Sequence, residues 1–228
     1  VIVVSASAGV TNYLVRLSQP QVPVNEQAEI IAAIRQIQHN ITAHLPNEVV
    51  LNEEIESLLA ELADYASAQS LNHSTRIADA ILSFGEQMSS RIFVQVLNSL
   101  GVTASYFDVR QVMRTNSLFG KAEVDTEQLR QLCEQLLVDK AQEQVIVTQG
   151  FIGQDASENT TTLGRGGSDY SAALLAEALN ADSLSIWTDV VGIFTTDPRI
   201  TDQARAIPEI SFGEAAEMAT FGAKILHP

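Results

Sequence analysis

The sequence predicts a layered α/β fold, with parallel strands joined by right-handed crossover helices. Short apolar, strand-like runs alternate along it with longer segments of helical period. The glycine-rich segment Leu163–Tyr170 falls between a strand-like run and an Ala/Leu-rich helix, in the kind of loop where such a sheet places its ligands.

Val1-Ile2-Val3-Val4 opens the chain as a β-branched apolar run of the kind found in strands buried on both faces. Asn25 is placed to cap a helix in which Ile30, Ile34, Ile37 and Ile41 recur at spacings of four and three and so line one face. A second helix is expected after Asn52, with Ile55, Leu58, Leu59 and Leu62 as its stripe. Ser74 can cap a third, which carries Ile77, Ile81, Met88 and Val96 to a stop at Gly101. The alternation then tightens to a strand near Val102–Phe107, a helix from Asp125 through Leu129, Leu132 and Leu136, and a strand at Val145–Thr148. Beyond the glycine-rich loop a helix is expected from Ser168 to Leu179 and a strand at Leu184–Trp187. Ser211-Phe212-Gly213-Glu214 reads as a capping box opening the last helix.

The chain has 228 residues, 46% of them hydrophobic, and one cysteine. A chain of that length folded as one domain buries roughly three-quarters of its unfolded surface, so it needs no disulfide or structural metal. One domain is expected, or at most two. With 13 basic against 28 acidic side chains the formal charge is −15, a field that repels phosphodiester backbones and anionic lipid. Nucleic-acid and membrane partners are therefore disfavoured. Cys133 has no second thiol to pair with, which fits a reducing compartment and a cytoplasmic location. No apolar run approaches the roughly 18–20 residues that span a bilayer, and no basic segment precedes an apolar signal core. The first residue is not Met and the last eight, Phe221–Pro228, lack a polar tail, so both ends are expected to be cuts in a longer chain.

The strongest chemical signal is Leu163-Gly164-Arg165-Gly166-Gly167-Ser168-Asp169-Tyr170. Its glycines let backbone N–H groups approach a ligand, the start of the following helix adds positive potential, and Arg165 supplies a full charge, which together suit a phosphate or carboxylate. Helix capping alone would explain Ser168 and Asp169 but not an arginine between glycines. Familiar templates fail by residue. A dinucleotide fingerprint would need glycine at Asp169, and a nucleophile elbow would need it at Tyr170. A P-loop needs Gly-Lys followed by Ser or Thr, whereas Lys121, Lys140 and Lys224 are followed by Ala, Ala and Ile.

Ile186–Arg199 could hold a purine and ribose at a strand end with Arg199 near phosphates, although Asp197-Pro198 and Gly192 also read as ordinary turn signals. Ser5-Ala6-Ser7-Ala8-Gly9-Val10-Thr11-Asn12 offers hydroxyls and N–H groups to a small polar substrate, or simply caps a helix with Thr11 or Asn12. Glu86, within an apolar helix pattern, either faces solvent or is a buried carboxylate with a polar partner. His39, His44, His73 and His227 show no paired metal-ligand spacing, and no metal is assigned to protein side chains.

Taken in order, Ser5–Asn12, Phe84-Gly85-Glu86, Phe107-Asp108-Val109-Arg110, Thr148–Gly153, Thr160–Tyr170, Trp187–Arg199 and Phe221–Pro228 resemble the catalytic domain of aspartate kinases. The resemblance covers essentially the whole chain and is closest to the monofunctional, lysine-sensitive bacterial class. It implies the amino acid kinase fold, a three-layer α/β/α sandwich with a mainly parallel central sheet. It also implies transfer of the ATP γ-phosphoryl group, with Mg²⁺, to the side-chain carboxylate of L-aspartate, the first step of lysine, threonine and methionine biosynthesis. By this resemblance Ser5, Thr11, Glu86, Arg165, Gly166, Gly167 and Ser168 bind aspartate, with Arg165 on a carboxylate and Glu86 on the ammonium group. Asp169 organises the transfer site beside Arg165 and Lys224, and Thr188, Asp189, Phe194, Arg199, Lys224 and Ile225 surround the nucleotide.

Family members begin with a strand carrying Lys-Phe-Gly-Gly-Thr-Ser, and no such motif occurs here. The chain alone is therefore expected to fold but to be catalytically crippled. The regulatory ACT domains, through which the intact protein is expected to form a homo-oligomer, are missing as well. Two alternatives stand beside this reading: a related kinase of glutamate, N-acetylglutamate or carbamate, and a non-catalytic nucleotide-binding module.

Overall fold

In the computed structural model, which describes residues 1–188 and 192–220, the apolar opening run becomes β1 (Ile2–Val4). It pairs in parallel with β3 (Val145–Gln149), which pairs on its other edge with β2 (Ala104–Tyr106), giving the sheet order β1-β3-β2. The register sets Ile2 against Val147 and Val4 against Gln149, and Ala104 against Val145. Successive strand residues point to opposite faces. Ile146 and Val3 join a core with Leu129 and Cys133 of α5 (Thr126–Leu136) and Leu174 and Leu175 of α7 (Gly167–Ala178). Val147, Ile2 and Val4 face the other way, against Phe93, Val94 and Leu97 of α4 (Thr75–Ser99). Apolar residues on both faces of β1 and β3 thus place the sheet between two helical layers, the expected α/β/α arrangement.

Behind α4 a second core unites α1 (Val10–Leu17), α2 (Val24–Thr42) and α3 (Glu48–Leu71) through Leu14, Ile34, Ile55, Leu59, Leu62, Ile81, Phe84 and Met88. The predicted stripes of isoleucine and leucine are those contacts, with the exception of Ile41, which is exposed. Helix starts depart from the expected caps. Pro23 precedes α2, where its carbonyl accepts from the N–H of Gln27 at 2.9 Å, so Asn25 lies inside the helix. α3 begins after Asn47, and Asn52 instead accepts from the Thr42 hydroxyl at 2.6 Å, a cross-link between helices. Ser74 does precede α4, and Asp125 caps α5 by accepting from the N–H of Gln128 at 2.9 Å.

In the first unit, Val1–Ala181, two features are not expected from the sequence, the short α6 (Val138–Glu143) and an antiparallel hairpin of β4 (Ile152–Gln154) and β5 (Thr160–Thr162). The hairpin turns on Asp155, whose carboxylate accepts from Ser157 N, Asn159 N and Asn159 Nδ2, so a polar Asx network rather than an apolar pattern builds it.

In the second unit, from Asp182 onward, the strand expected at Leu184–Trp187 does not form. The run meets no ladder partner among the described residues, and Trp187 is 94% exposed. Apolar content alone does not make a strand when no neighbouring backbone pairs with it. The same unit closes a loop by pairing Phe194 with Ala206 and forms α8 (Phe212–Thr220). The predicted capping box is complete: Ser211 N donates to Glu214 Oε2 at 3.0 Å and Glu214 N to Ser211 Oγ at 3.3 Å.

Candidate active site

Where β1 ends, Ser5–Gly9 turns into α1 across the flank of α4. Gly85 makes that approach possible, since a Cβ there would lie 2.6 Å from the Ala6 Cβ and 3.1 Å from Leu14 Cδ1. The carboxylate of Glu86 then reaches the loop, with Oε1 accepting from the Ala6 N–H at 3.2 Å. Ser89 donates to the Ser5 carbonyl at 2.7 Å, and Ser7 Oγ donates to the fully buried Gln38 at 3.2 Å. The loop is thus held by polar groups of α4 and α2, while the hydroxyls of Ser5 and Thr11 bond to no described residue. Thr11 and Asn12 lie within α1, whose N-cap is Gly9 at φ 85°, so neither caps it.

Glu86 is only 6% exposed and forms no ion pair among the described residues. Of its two open readings, the buried carboxylate is the correct one. Burial pushes its carboxyl up to about 7, against the opposing pull of the Ala6 N–H. In the unfolded chain Glu86 ionises near its ordinary value of 4.5, so between 4.5 and about 7 the folded state holds the extra proton and stability falls as pH rises. Full ionisation above that window removes about 2–4 kcal/mol. Thermal unfolding of Glu86→Gln should therefore show a higher Tm than the parent at pH 8 and a difference near zero at pH 4.5. A pH-independent difference would defeat this assignment.

The second strand end converges on the same edge. The N–H of Gly150 donates to Val4 O at 2.9 Å, and a Cβ on Gly150 would sit 2.7 Å from both Cα and Cβ of Ser168. Only glycine lets the start of α7 pack there. Gly164 and Gly166 have φ of 82° and 75°, and Gly166 is the N-cap, which places Ser168 inside the helix rather than at its cap. Gly167 is buried against Phe151. Arg165 is exposed, and neither it nor Asp169 bonds to any described residue. The loop therefore presents an uncommitted guanidinium, a carboxylate and a helix start together.

Two residues at this edge went unnoticed in the sequence. Gln38 holds Ser7 as described above. Asp79, 1% exposed, binds Gly120 N, Thr162 N and Thr162 Oγ1. Its signal was there to be read: a lone charge in the apolar stretch Ile77-Ala78-Asp79-Ala80-Ile81.

The residues expected to surround the nucleotide lie in the second unit. Phe194 is half-buried at its bridge to Ala206, Thr188 lies on the irregular run before it, and Arg199 is paired with Asp197 at 2.7 Å. Asp189, Lys224 and Ile225 lie outside the described residues. Among the described residues no three His, Cys, Asp or Glu side chains cluster as a metal site, and no helix is long and apolar enough to cross a membrane.

The amino acid kinase family model matches residues 1–228. The chain belongs to the amino acid kinase family. Among curated proteins of this family, the lysine-sensitive aspartokinase 3 of Escherichia coli K12 is 52% identical over 227 residues, covering 100% of this chain and 50% of that protein. A crystal structure of E. coli aspartokinase III in complex with aspartate and ADP superposes with a TM-score of 0.96 at 52% identity, covering 99% of this chain and 50% of that one. The same enzyme in complex with lysine and aspartate gives 0.90 at 52% identity, over 99% of this chain and 51% of that one. The chain thus spans about half the length of these amino acid kinase relatives.

Proposed function

We propose that this chain is the greater part of the catalytic domain of an aspartate kinase, which transfers the ATP γ-phosphoryl group to the side-chain carboxylate of L-aspartate. The observation that carries the reading is Glu86, a buried carboxylate without a cation, 3.2 Å from the backbone of the hydroxyl-rich loop. A site that keeps such a group is matched to an ammonium ion, which favours a free amino acid over an N-acetylated one. Likeness to an E. coli enzyme crystallised with aspartate and ADP supports the same substrates.

In this mechanism Glu86 takes the substrate ammonium, the hydroxyls of Ser5 and Thr11 hold its polar groups, and Arg165 pairs with a carboxylate. The Gly166–Ser168 backbone approaches the substrate closely. The side-chain carboxylate, ionised at neutral pH, attacks the γ-phosphorus as the bond to ADP breaks, so no general base is needed. What the protein supplies is in-line positioning and charge complementarity, with Asp169 organising the transfer site and Lys224 bearing on the phosphates. Thr188, Asp189, Phe194, Arg199 and Ile225 complete the nucleotide side. Magnesium bound to nucleotide phosphates and water needs no dedicated cage of carboxylates, and when bound it neutralises phosphoryl charge. The intact enzyme is a cytoplasmic homo-oligomer in this reading, assembled through ACT domains, and a lysine-bearing first strand completes its phosphoryl site.

The test uses the full-length protein that carries these residues, with MgATP and hydroxylamine to trap the acyl phosphate. Hydroxamate should form with L-aspartate and not with L-glutamate or N-acetyl-L-glutamate. Turnover of either other acid would overturn the substrate, and turnover of none would favour a binding module.

A further inference from the structure

We propose that Asp79 is a positioning residue of the transfer site, fixing the two loops that carry Arg165 and Lys121 to the helix that carries Glu86. The proposal rests on the aspartate kinase reading and assigns a residue that the reading does not use. Asp79 stands seven residues before Glu86 on α4, close to two helical turns, so both project from one side of that helix.

Its Oδ2 accepts from Gly120 N at 2.9 Å and from Thr162 N at 2.8 Å, while Oδ1 accepts from the Thr162 hydroxyl at 3.0 Å. The two N–H groups can only donate and share Oδ2, while the Thr162 hydroxyl donates to Oδ1, so one carboxylate accepts from both loops at once. Thr162 is the last residue of β5 and leads directly into Leu163-Gly164-Arg165. Gly120 precedes Lys121, and the next N–H, that of Ala122, donates to the Thr162 carbonyl at 2.9 Å. The two loops also stack on each other. A Cβ on Gly164 would lie 3.3 Å from the Gly120 carbonyl and 3.7 Å from Lys121 Cγ, so Lys121 runs alongside the glycine-rich loop.

One buried carboxylate therefore ties both loops to α4. Lys121 and Arg165 are exposed and form no ion pair with a described residue, so the two loops tied to the helix of Glu86 each carry an uncommitted cation. An amino acid bridging Glu86 and a cation needs its ammonium and carboxylate satisfied at once. A loosened Asp79 would leave each group intact and lose their spacing, an error of the kind that costs about 10²-fold for a displacement of 1 Å.

The experiment compares Asp79→Asn, Thr162→Val and Thr162→Ser in the full-length protein. Asp79→Asn keeps one oxygen for the two N–H groups but removes the charge they meet and reverses the bond to the Thr162 hydroxyl. Thr162→Val removes one bond and keeps the backbone one. Thr162→Ser keeps both. The first two should lower kcat/KM for aspartate by roughly 10- to 100-fold while KM for MgATP stays within about twofold. Thr162→Ser should stay within about threefold of the parent. Native-state trypsin should cut faster after Arg165 and Lys121 in the first two variants only. Should Asp79→Asn not fold, the valine and serine pair decides. A lower Tm with unchanged aspartate kinetics, or equal losses for both substrates, would overturn the positioning role. Parent protein that does not phosphorylate aspartate would instead overturn the reading beneath it, a failure visible before any variant is made.

Discussion

Glu86→Gln should lower kcat/KM for aspartate by at least about 10²-fold, because removing one partner of a buried charge pair costs 2–5 kcal/mol. The amide keeps an oxygen that can accept from Ala6 N–H, so the loop stays in place and the loss falls on the ammonium contact. KM for MgATP should move by less than about twofold, since Glu86 belongs to the first unit and the expected adenosine contacts to the second. Protonation offers an independent check. Burial pushes the carboxyl up to about 7, so the apo protein near neutrality holds a mixture of both forms, and only the ionised one receives an ammonium group. KM for aspartate should therefore rise as pH falls below 7 in the parent and stay flat in Glu86→Gln. Steady-state kinetics from pH 6 to 8.5 measure both. Equal losses for aspartate and MgATP, or a parallel pH profile in the variant, would remove Glu86 from the substrate site.

This destabilised carboxylate also shows how the sequence could be read, and where it could not. The doubly buried strands were legible because a β-branched run with no polar alternation has few other uses, and β1 and β3 carry that run on both faces. The glycine-rich loop was legible because two residues at positive φ and one squeezed against Phe151 leave little choice but glycine. Helix stripes were equally plain, while their first residues were not. Pro23 and Asn47 start their helices without a side-chain cap, while Asn25, a customary signal, lies inside α2 and Asn52 bonds Thr42 instead.

Leu184–Trp187 failed for a different reason. A strand is a property of two segments, and a window of sequence reports only one of them. The β4–β5 hairpin is the complement of that error, its threonines and glycine offering no apolar pattern while Asp155 and Asn159 wrote its turn in hydrogen bonds. Asp79 was missed on the same grounds. Its role is defined by two N–H groups more than forty residues away in sequence, Gly120 and Thr162, and no local pattern records them.

Arg165→Ala should abolish most aspartate turnover, with a loss in kcat/KM of about 10³-fold, and leave Tm nearly unchanged. The two halves of that expectation come from one observation: the guanidinium is exposed and bonded to no described residue, so the fold does not lean on it. Surface side chains without such ties alter stability by about 0.5 kcal/mol or less. Its charge is nevertheless placed by unusual means, between Gly164 at φ 82° and Gly166 at φ 75°, on a loop tied to α4 through Asp79 and leading into a helix start packed on Gly150 just beyond β3. Arg165→Lys separates charge from geometry. If the guanidinium grips a carboxylate with two parallel N–H bonds, a lysine point charge should recover only part of the loss, about tenfold of the thousand. Full recovery by lysine would mean that Arg165 acts through charge alone. A fall in Tm matching the loss of activity would show that the loop needs Arg165 for its own structure. Glu86 and Arg165 thus predict opposite signatures, one variant stabilised and the other unmoved as each loses its substrate, and that contrast separates a binding site from a folding core.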